Sequence, residues 1–314
     1  MRKIFRIGCA AAALLLLFGC RGVKMNRTML KMIISSTMKG STELTYADSL
    51  EKRIGVAYVE DAAPSQVLDI YYADKAVRKD AVLIDIHGGF YIAGDRKNNR
   101  GFASEFLKGG YDVVLLEYRL NDGKLDVEDE LGDCAAALDY LTANADSLGL
   151  NKDRMFITGD SAGGHLALYM AEGTGNEAVP VRPKLFKPRG VLLNCPAYNF
   201  ASFAKMGGFT KDALEWFMGP RYEDAGWLDS VSPRTFINSY TGPLFVSTCT
   251  NDFIRSQALL IKSDCEALGR ELDFLDIETD DKKVGHVHNV TNQDLPESRT
   301  VNGKMLEFMD RNLL

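Results

Sequence analysis

Hydrophobic and polar positions along this chain fall into two alternating rhythms. Short, nearly continuous apolar runs recur at Ala81–Ile86, Val113–Glu117, Met155–Thr158, Gly190–Asn194, Leu244–Thr248 and Leu272–Ile277. Runs of that length without polar alternation fit strands buried on both faces, as in a parallel sheet. Between them lie helical patterns over Val127–Ala145, which opens with acids, Ser256–Leu268 and Gly303–Leu313. Val56–Val59 and Leu68–Tyr72 read as an opening hairpin. Strands alternating with helices predict an α/β fold, a mostly parallel sheet with helices on both faces.

Two segments break this rhythm. Residues 196–243 form a long connection rich in Phe, Trp, Gly and Tyr, in which only Lys211–Met218 looks helical. A connection of that length inside a compact domain usually serves function, here as a lid insertion. Its Phe200, Phe203, Phe209, Trp216 and Trp227 either line a pocket or form the lid's own small core. Residues 21–52 carry an amphipathic stretch, with Met29, Leu30, Ile33 and Ile34 at helical spacing, expected to cap the main domain.

The first twenty residues differ from all that follows. Arg2, Lys3 and Arg6 precede an apolar run, Ala10–Phe18, that ends at Gly19-Cys20. That run is too short for a spanning helix, which needs about 20 apolar residues. A basic start, a short apolar core and small residues at its end predict a signal peptide over residues 1–20 and an exported mature chain, 21–314, forming one domain. Leu17-Phe18-Gly19-Cys20 resembles the lipobox of bacterial lipoproteins, which implies cleavage before Cys20, acylation of its thiol and a lipid anchor in a membrane of the cell envelope.

Composition adds little. The formal net charge is −6, and no Lys/Arg stripe stands out, so a nucleic-acid partner is not expected. Cys134, Cys195, Cys249 and Cys265 lack the clustered spacing of metal ligands and read as small buried thiols.

The chemistry concentrates in a few motifs. Gly159-Asp160-Ser161-Ala162-Gly163 follows a predicted strand and opens a predicted helix, the context that gives G-x-S-x-G its meaning. A tight strand-to-helix turn projects the Ser161 hydroxyl above the sheet. Ala162 then offers its N–H at a helix N-terminus, where unpaired donors favour an oxyanion. His87-Gly88-Gly89-Phe90 leaves the Ala81–Ile86 strand, where this architecture supplies further oxyanion donors, here Gly88 and Gly89.

At these motifs the chain resembles the hormone-sensitive-lipase-like family of α/β-hydrolases, which includes bacterial carboxylesterases. The family's GDSAGG matches Gly159 through Gly164 unchanged. Its HGGG loop matches as His87-Gly88-Gly89, with Phe90 in place of the third glycine. Its Tyr-Arg-Leu is present as Tyr118-Arg119-Leu120, while Asn121-Asp122-Gly123 replaces the Ala-Pro-Glu that often follows. The resemblance runs from about Leu68 to the C-terminus and implies ester hydrolysis.

A serine nucleophile needs a base, and the chain has four histidines. His87 sits in the oxyanion loop and His165 one turn into the nucleophile helix, both better placed for structure than for proton transfer. His286 and His288 remain. Gly285-His286-Val287 follows the final strand, where this fold places its base, and family members carry Gly-His-Val or similar there, so His286 is the expected base. Asp252, just beyond the Leu244–Thr248 strand, aligns with the family's acid and completes the chain order Ser, Asp, His. Asp280 and Asp281 are nearer in sequence but do not follow a strand end in that order.

The expected chemistry is two-step acyl transfer on a short-chain ester, with no metal and no organic cofactor. Three rivals stand beside it: a carbohydrate acetylesterase facing polysaccharide, an exopeptidase-like serine hydrolase, and a binding module on a hydrolase scaffold.

Overall fold

The computed structural model describes residues 28, 31, 32, 34, 35, 46–205, 214–219 and 221–313. The signal segment 1–20 with Cys20, most of 21–45 including Met29, Leu30 and Ile33, and Phe209 lie outside the described residues. Of the expected cap, Ile34 is helical and buried in the core.

The apolar runs become strands. In chain order these are β1 (Lys52–Ala57), β2 (Val67–Tyr71), β3 (Val82–Ile86), β4 (Asp112–Leu116), β5 (Met155–Asp160), β6 (Gly190–Asn194), β7 (Leu244–Cys249) and β8 (Asp273–Ile277). They form one sheet in the order β1-β2-β4-β3-β5-β6-β7-β8. β1 and β2 pair antiparallel, β2 joins β4 antiparallel, and every later pairing is parallel. This is the α/β-hydrolase arrangement, with β1 and β8 as the two outer strands.

Why the runs lack polar alternation is visible in β3 and β4. Val82, Ile84, Ile86, Val114 and Leu116 enter one core cluster, with residues of the helices Val127–Ala143, Ala162–Gly173 and Arg255–Ala267. Leu83, Val113 and Leu115 face the other way, into a second cluster with Phe102, Phe106, Met305 and Phe308. Helices therefore cover both faces, and each strand must be apolar at successive positions.

Local sequence sets the helix ends. Asp126 and Asp129 form a reciprocal capping box at the start of Val127–Ala143, satisfying two donors that the first turn leaves open. The helix Arg100–Lys108, absent from the sequence expectation, ends at Gly109-Gly110, where Gly110 takes φ +89° and Tyr111 N–H reaches back to Phe106 O. This closing motif ends a helix whose nine residues are too few to show a clear period. The C-terminal helix begins at Pro296, seven residues before the expected Gly303, because proline is well tolerated in a first turn.

The 196–243 insertion is more ordered than expected. Residues 214–218 are helical, but Phe200–Lys205 and Ala225–Ser230 are helices as well, and Pro233–Phe236 is a 3₁₀ turn. Six-residue helices cannot establish a period. The sequence signal for the second of them was its cap, since the Asp224 side chain accepts from Trp227 N–H. Among the described residues, no helix is long and apolar enough to cross a membrane.

Candidate active site

Ser161 sits between β5 and the helix Ala162–Gly173 with φ 55° and ψ −114°. A non-glycine residue there stores on the order of 1–3 kcal/mol of strain, so its surroundings must hold it. Ser161 N–H donates to Asn194 O at 2.9 Å, and Ser161 O accepts from Ala197 N–H at 3.1 Å. The motif glycines let the helix press close. A Cβ on Gly163 would stand 1.9 Å from Ile86 O, and one on Gly159 would stand 2.3 Å from Gly163 O.

The oxyanion loop leaves β3 directly beside this turn. Gly89 has φ +130°, and a Cβ there would lie 2.0 Å from Ala93 O. Phe90, in the place of a third glycine, also takes positive φ. The three expected donors are not equivalent, however. Gly88 N–H is committed to Asp160 Oδ1 at 3.1 Å, which corrects its assignment as an oxyanion donor: a proton spent on a buried carboxylate is not offered to substrate. Gly89 and Ala162 remain.

A buried polar layer underlies the loop. Asn99 Nδ2 donates to Asp85 Oδ2 at 2.8 Å and to Asp160 Oδ1 at 2.9 Å. Burial first, then the charge of Asp160, pushes the Asp85 carboxyl up to about 8. Burial likewise raises Asp160. His87 stacks on Tyr118 with ring centroids 4.5 Å apart, and Tyr118 Oη donates to His87 O. His87 Nε2 bonds Glu117 at 3.1 Å. Burial disfavours the charged ring, but Glu117 outweighs it and His87 is raised to about 9. Both residues therefore brace the loop, as expected for His87.

Asp252 and His286 meet as expected, with Nδ1 and Oδ1 2.6 Å apart. Besides His286, two donors hold the acid: Thr248 Oγ1 donates to Oδ2 at 2.8 Å, and Ile254 N–H donates to Oδ1 at 3.0 Å. Burial alone would raise Asp252, yet the charge and hydrogen bond of His286 overcome it and hold the carboxyl below its ordinary value. A parallel bridge between Asn251 and Gly285 ties the two loops together. His286 Nε2 is buried and makes no hydrogen bond among the described residues, so the bond to Ser161 is open in this state. Catalytic hydrogen bonds often close only when substrate is bound.

The other histidines are engaged elsewhere. His165 Nε2 donates to Val231 O at 2.7 Å, and burial drives its pKa down to about 4. His288 Nδ1 bonds Gly285 O at 3.1 Å.

Ser161 opens onto a small apolar cavity of about 20 Å³, lined among others by Phe90, Tyr91, Phe200, Phe203, Phe217 and Phe253. Phe253 also packs on the His286 ring at 4.4 Å. Of the aromatics singled out in the sequence, Phe200 and Phe203 line this cavity. Trp227 is buried beneath Arg221, and Trp216 packs half-buried against the core. Phe90, Phe217 and Phe253 were missed, although the loop motifs adjoining Phe90 and Phe253 were the available signal. A larger groove of about 540 Å³, lined by Tyr240, Arg270, Glu271 and Arg311, shares no residue with the Ser161 cavity.

Comparison with known proteins agrees with this fold. The chain is 24% identical over 219 residues to the α/β hydrolase R526 of Acanthamoeba polyphaga mimivirus, covering 66% of this chain and 60% of that protein. It thus spans about 60% of the length of that relative. Esterase B from Lactobacillus rhamnosis superposes with TM-score 0.76 at 24% identity, covering 96% of this chain and 95% of that one. A truncated carbohydrate esterase from gut microbiota superposes with TM-score 0.68 at 22% identity, covering 87% and 99%. The BD-FAE family model matches residues 68–258, from β2 through the oxyanion loop, the elbow and the lid to the helix after Asp252, and the chain accordingly belongs to the BD-FAE family within the α/β-hydrolase superfamily.

Proposed function

We propose that this protein is a serine carboxylesterase of short-chain acyl esters, with Ser161 as nucleophile, His286 as base and Asp252 as the acid that orients it. The observation that carries the proposal is a strained Ser161 that lines one cavity with Phe253, whose ring packs on the imidazole of the hydrogen-bonded Asp252–His286 pair. Attack by Ser161 Oγ on the ester carbonyl passes its proton to His286 Nε2. The oxyanion forms against Gly89 and Ala162 N–H. His286 then protonates the leaving alcohol and activates water to free the acid. The small aromatic cavity supports a short acyl group, and the sequence resemblance to hormone-sensitive-lipase-like esterases supports the same reading.

A carbohydrate acetylesterase is the second reading, favoured by the same small cavity and by the likeness to a carbohydrate esterase. We further propose export and acylation at Cys20, on the lipobox-like Leu17–Cys20 alone; a shift of the protein from membrane to soluble fraction in Cys20→Ser is the expected result.

Labelling with a fluorescent fluorophosphonate tests the serine assignment. The wild type should label and Ser161→Ala should not; equal labelling of both refutes it. Rates on nitrophenyl acetate, nitrophenyl octanoate and acetylated xylan then separate the two substrate readings.

A further inference from the structure

One short segment touches both halves of the site. Asn194 O and Ala197 N–H grip the backbone of Ser161 from either side. Between them, Cys195 Sγ accepts Val287 N–H at 3.3 Å, and Val287 is the residue after His286. The sulfur lies within 4.8 Å of both an Asp252 carboxylate oxygen and a His286 ring nitrogen. Cys195 itself is tied down, its N–H donating to Ser247 O at 2.8 Å.

Both partners of the N–H···S bond are held in unfavourable backbone geometry. Cys195 has φ 46° and Val287 has φ 51°. For a β-branched valine this conformation is a genuine outlier, and such strain persists where the surroundings over-determine it. Regular alternation would set Cys195 beside Thr248. The left-handed turn instead brings it among Leu192 and Phe245, against the loop that carries His286. The hydrogen bond with Cys249 and then burial hold the Cys195 thiol well above its ordinary value. It stays neutral and does not compete with Asp252 for the imidazole proton.

We propose that Cys195 is a positioning residue of the catalytic site: its sulfur, by accepting the Val287 amide proton, fixes the turn bearing His286 relative to Ser161. This rests on the serine-hydrolase reading above. This gives a role to a buried thiol that has no disulfide partner among the described residues.

Three substitutions separate sulfur from strain. Cys195→Ala removes the acceptor, Cys195→Gly removes it while relieving the positive φ, and Cys195→Ser restores a weaker-reaching acceptor. Displacing a catalytic group by a fraction of an ångström to 1 Å costs up to about a hundredfold. With nitrophenyl acetate, Ala and Gly should therefore lose roughly tenfold to a hundredfold in kcat with KM within about twofold, and Ser should recover most of the loss. Cys265→Ala, at a buried cysteine on the helix Arg255–Ala267, should keep wild-type kcat. Thermal melts report the folded fraction. The downfield proton of the His286–Asp252 bond, read by NMR, should move or broaden in Ala and Gly and return in Ser. Wild-type kcat and an unmoved proton in Cys195→Ala overturn the proposal, and so does Gly matching Ser. A wild type that neither turns over esters nor labels with fluorophosphonate instead sinks the hydrolase reading, and the NMR signal still decides whether Cys195 positions His286.

Discussion

Replacing Asp85 by asparagine should change how stability depends on pH. Asp85 is fully buried on β3; its Oδ2 accepts from Asn99, while Oδ1 has no partner among the described residues. Asp160, on the other side of the same amide, is the second buried carboxyl. Burial and this neighbour raise Asp85 from 3.8 to about 8. An acid whose folded pKa is raised keeps its proton in the native state at pH values where the unfolded chain has released it. Its contribution is therefore full at acid pH and is lost as pH rises from the unfolded value to the folded one. The slope is about −1.4 kcal/mol per pH unit, or roughly 3 kcal/mol between pH 5 and 7. His87, raised to about 9 by Glu117 against burial, adds a loss of the same sign above pH 6.5 or so, and it is untouched by the substitution. Asparagine keeps the shape of the protonated acid and has no charge to acquire. Urea denaturation from pH 5 to 8 should thus show Asp85→Asn already more stable than the wild type at pH 5, by about 1.5 kcal/mol, with the gap widening by about 1.4 kcal/mol per unit above it. Two parallel curves would refute a native Asp85 that keeps its proton.

Two further outcomes follow from the elbow and the dyad. Gly163→Ala places a methyl 1.9 Å from Ile86 O; because backbone meets backbone, the variant should lose about 3 kcal/mol or more in a denaturant melt, and an unchanged midpoint would show that the helix start is not pressed on β3. Asp252→Asn should lower kcat on nitrophenyl acetate by about 10⁴-fold through the wrong imidazole tautomer, with little change in KM, and retention within tenfold would remove Asp252 from its role.

The sheet and the dyad were legible in the sequence because both rest on strong local signals. Runs such as Gly190–Asn194 are buried on both faces, so hydrophobicity alone marks them. Gly159 to Gly164 is readable because each glycine answers a steric demand, as Gly163 does at Ile86 O. Gly88 was misassigned for the opposite reason: its partner, Asp160, is 72 residues away, and nothing in a loop motif announces which amide a distant carboxylate will take. The short helices around Phe200 and Trp227 escaped because they are set by caps and tertiary packing rather than by period. Cys195 was read only as a small apolar side chain, since neither its positive φ nor its contact with Val287 leaves a trace in the surrounding residues.

The two outer strands bear on behaviour in concentrated solution. Among the described residues, an eight-stranded sheet offers unpaired backbone at each rim, a template on which a second molecule can grow. On β1 that template is broken by the register shift between Arg53 and Val56, where Gly55 N–H turns inward to Asp69, and it carries the charges of Lys52 and Arg53. On β8, Asp273 and Asp276 are already matched by Arg311 and Arg255 of the same chain, which leaves little to attract the cationic rim of a neighbour. Strand-by-strand polymerisation is thereby discouraged at both ends, so a sheet of this width can remain a discrete particle when crowded.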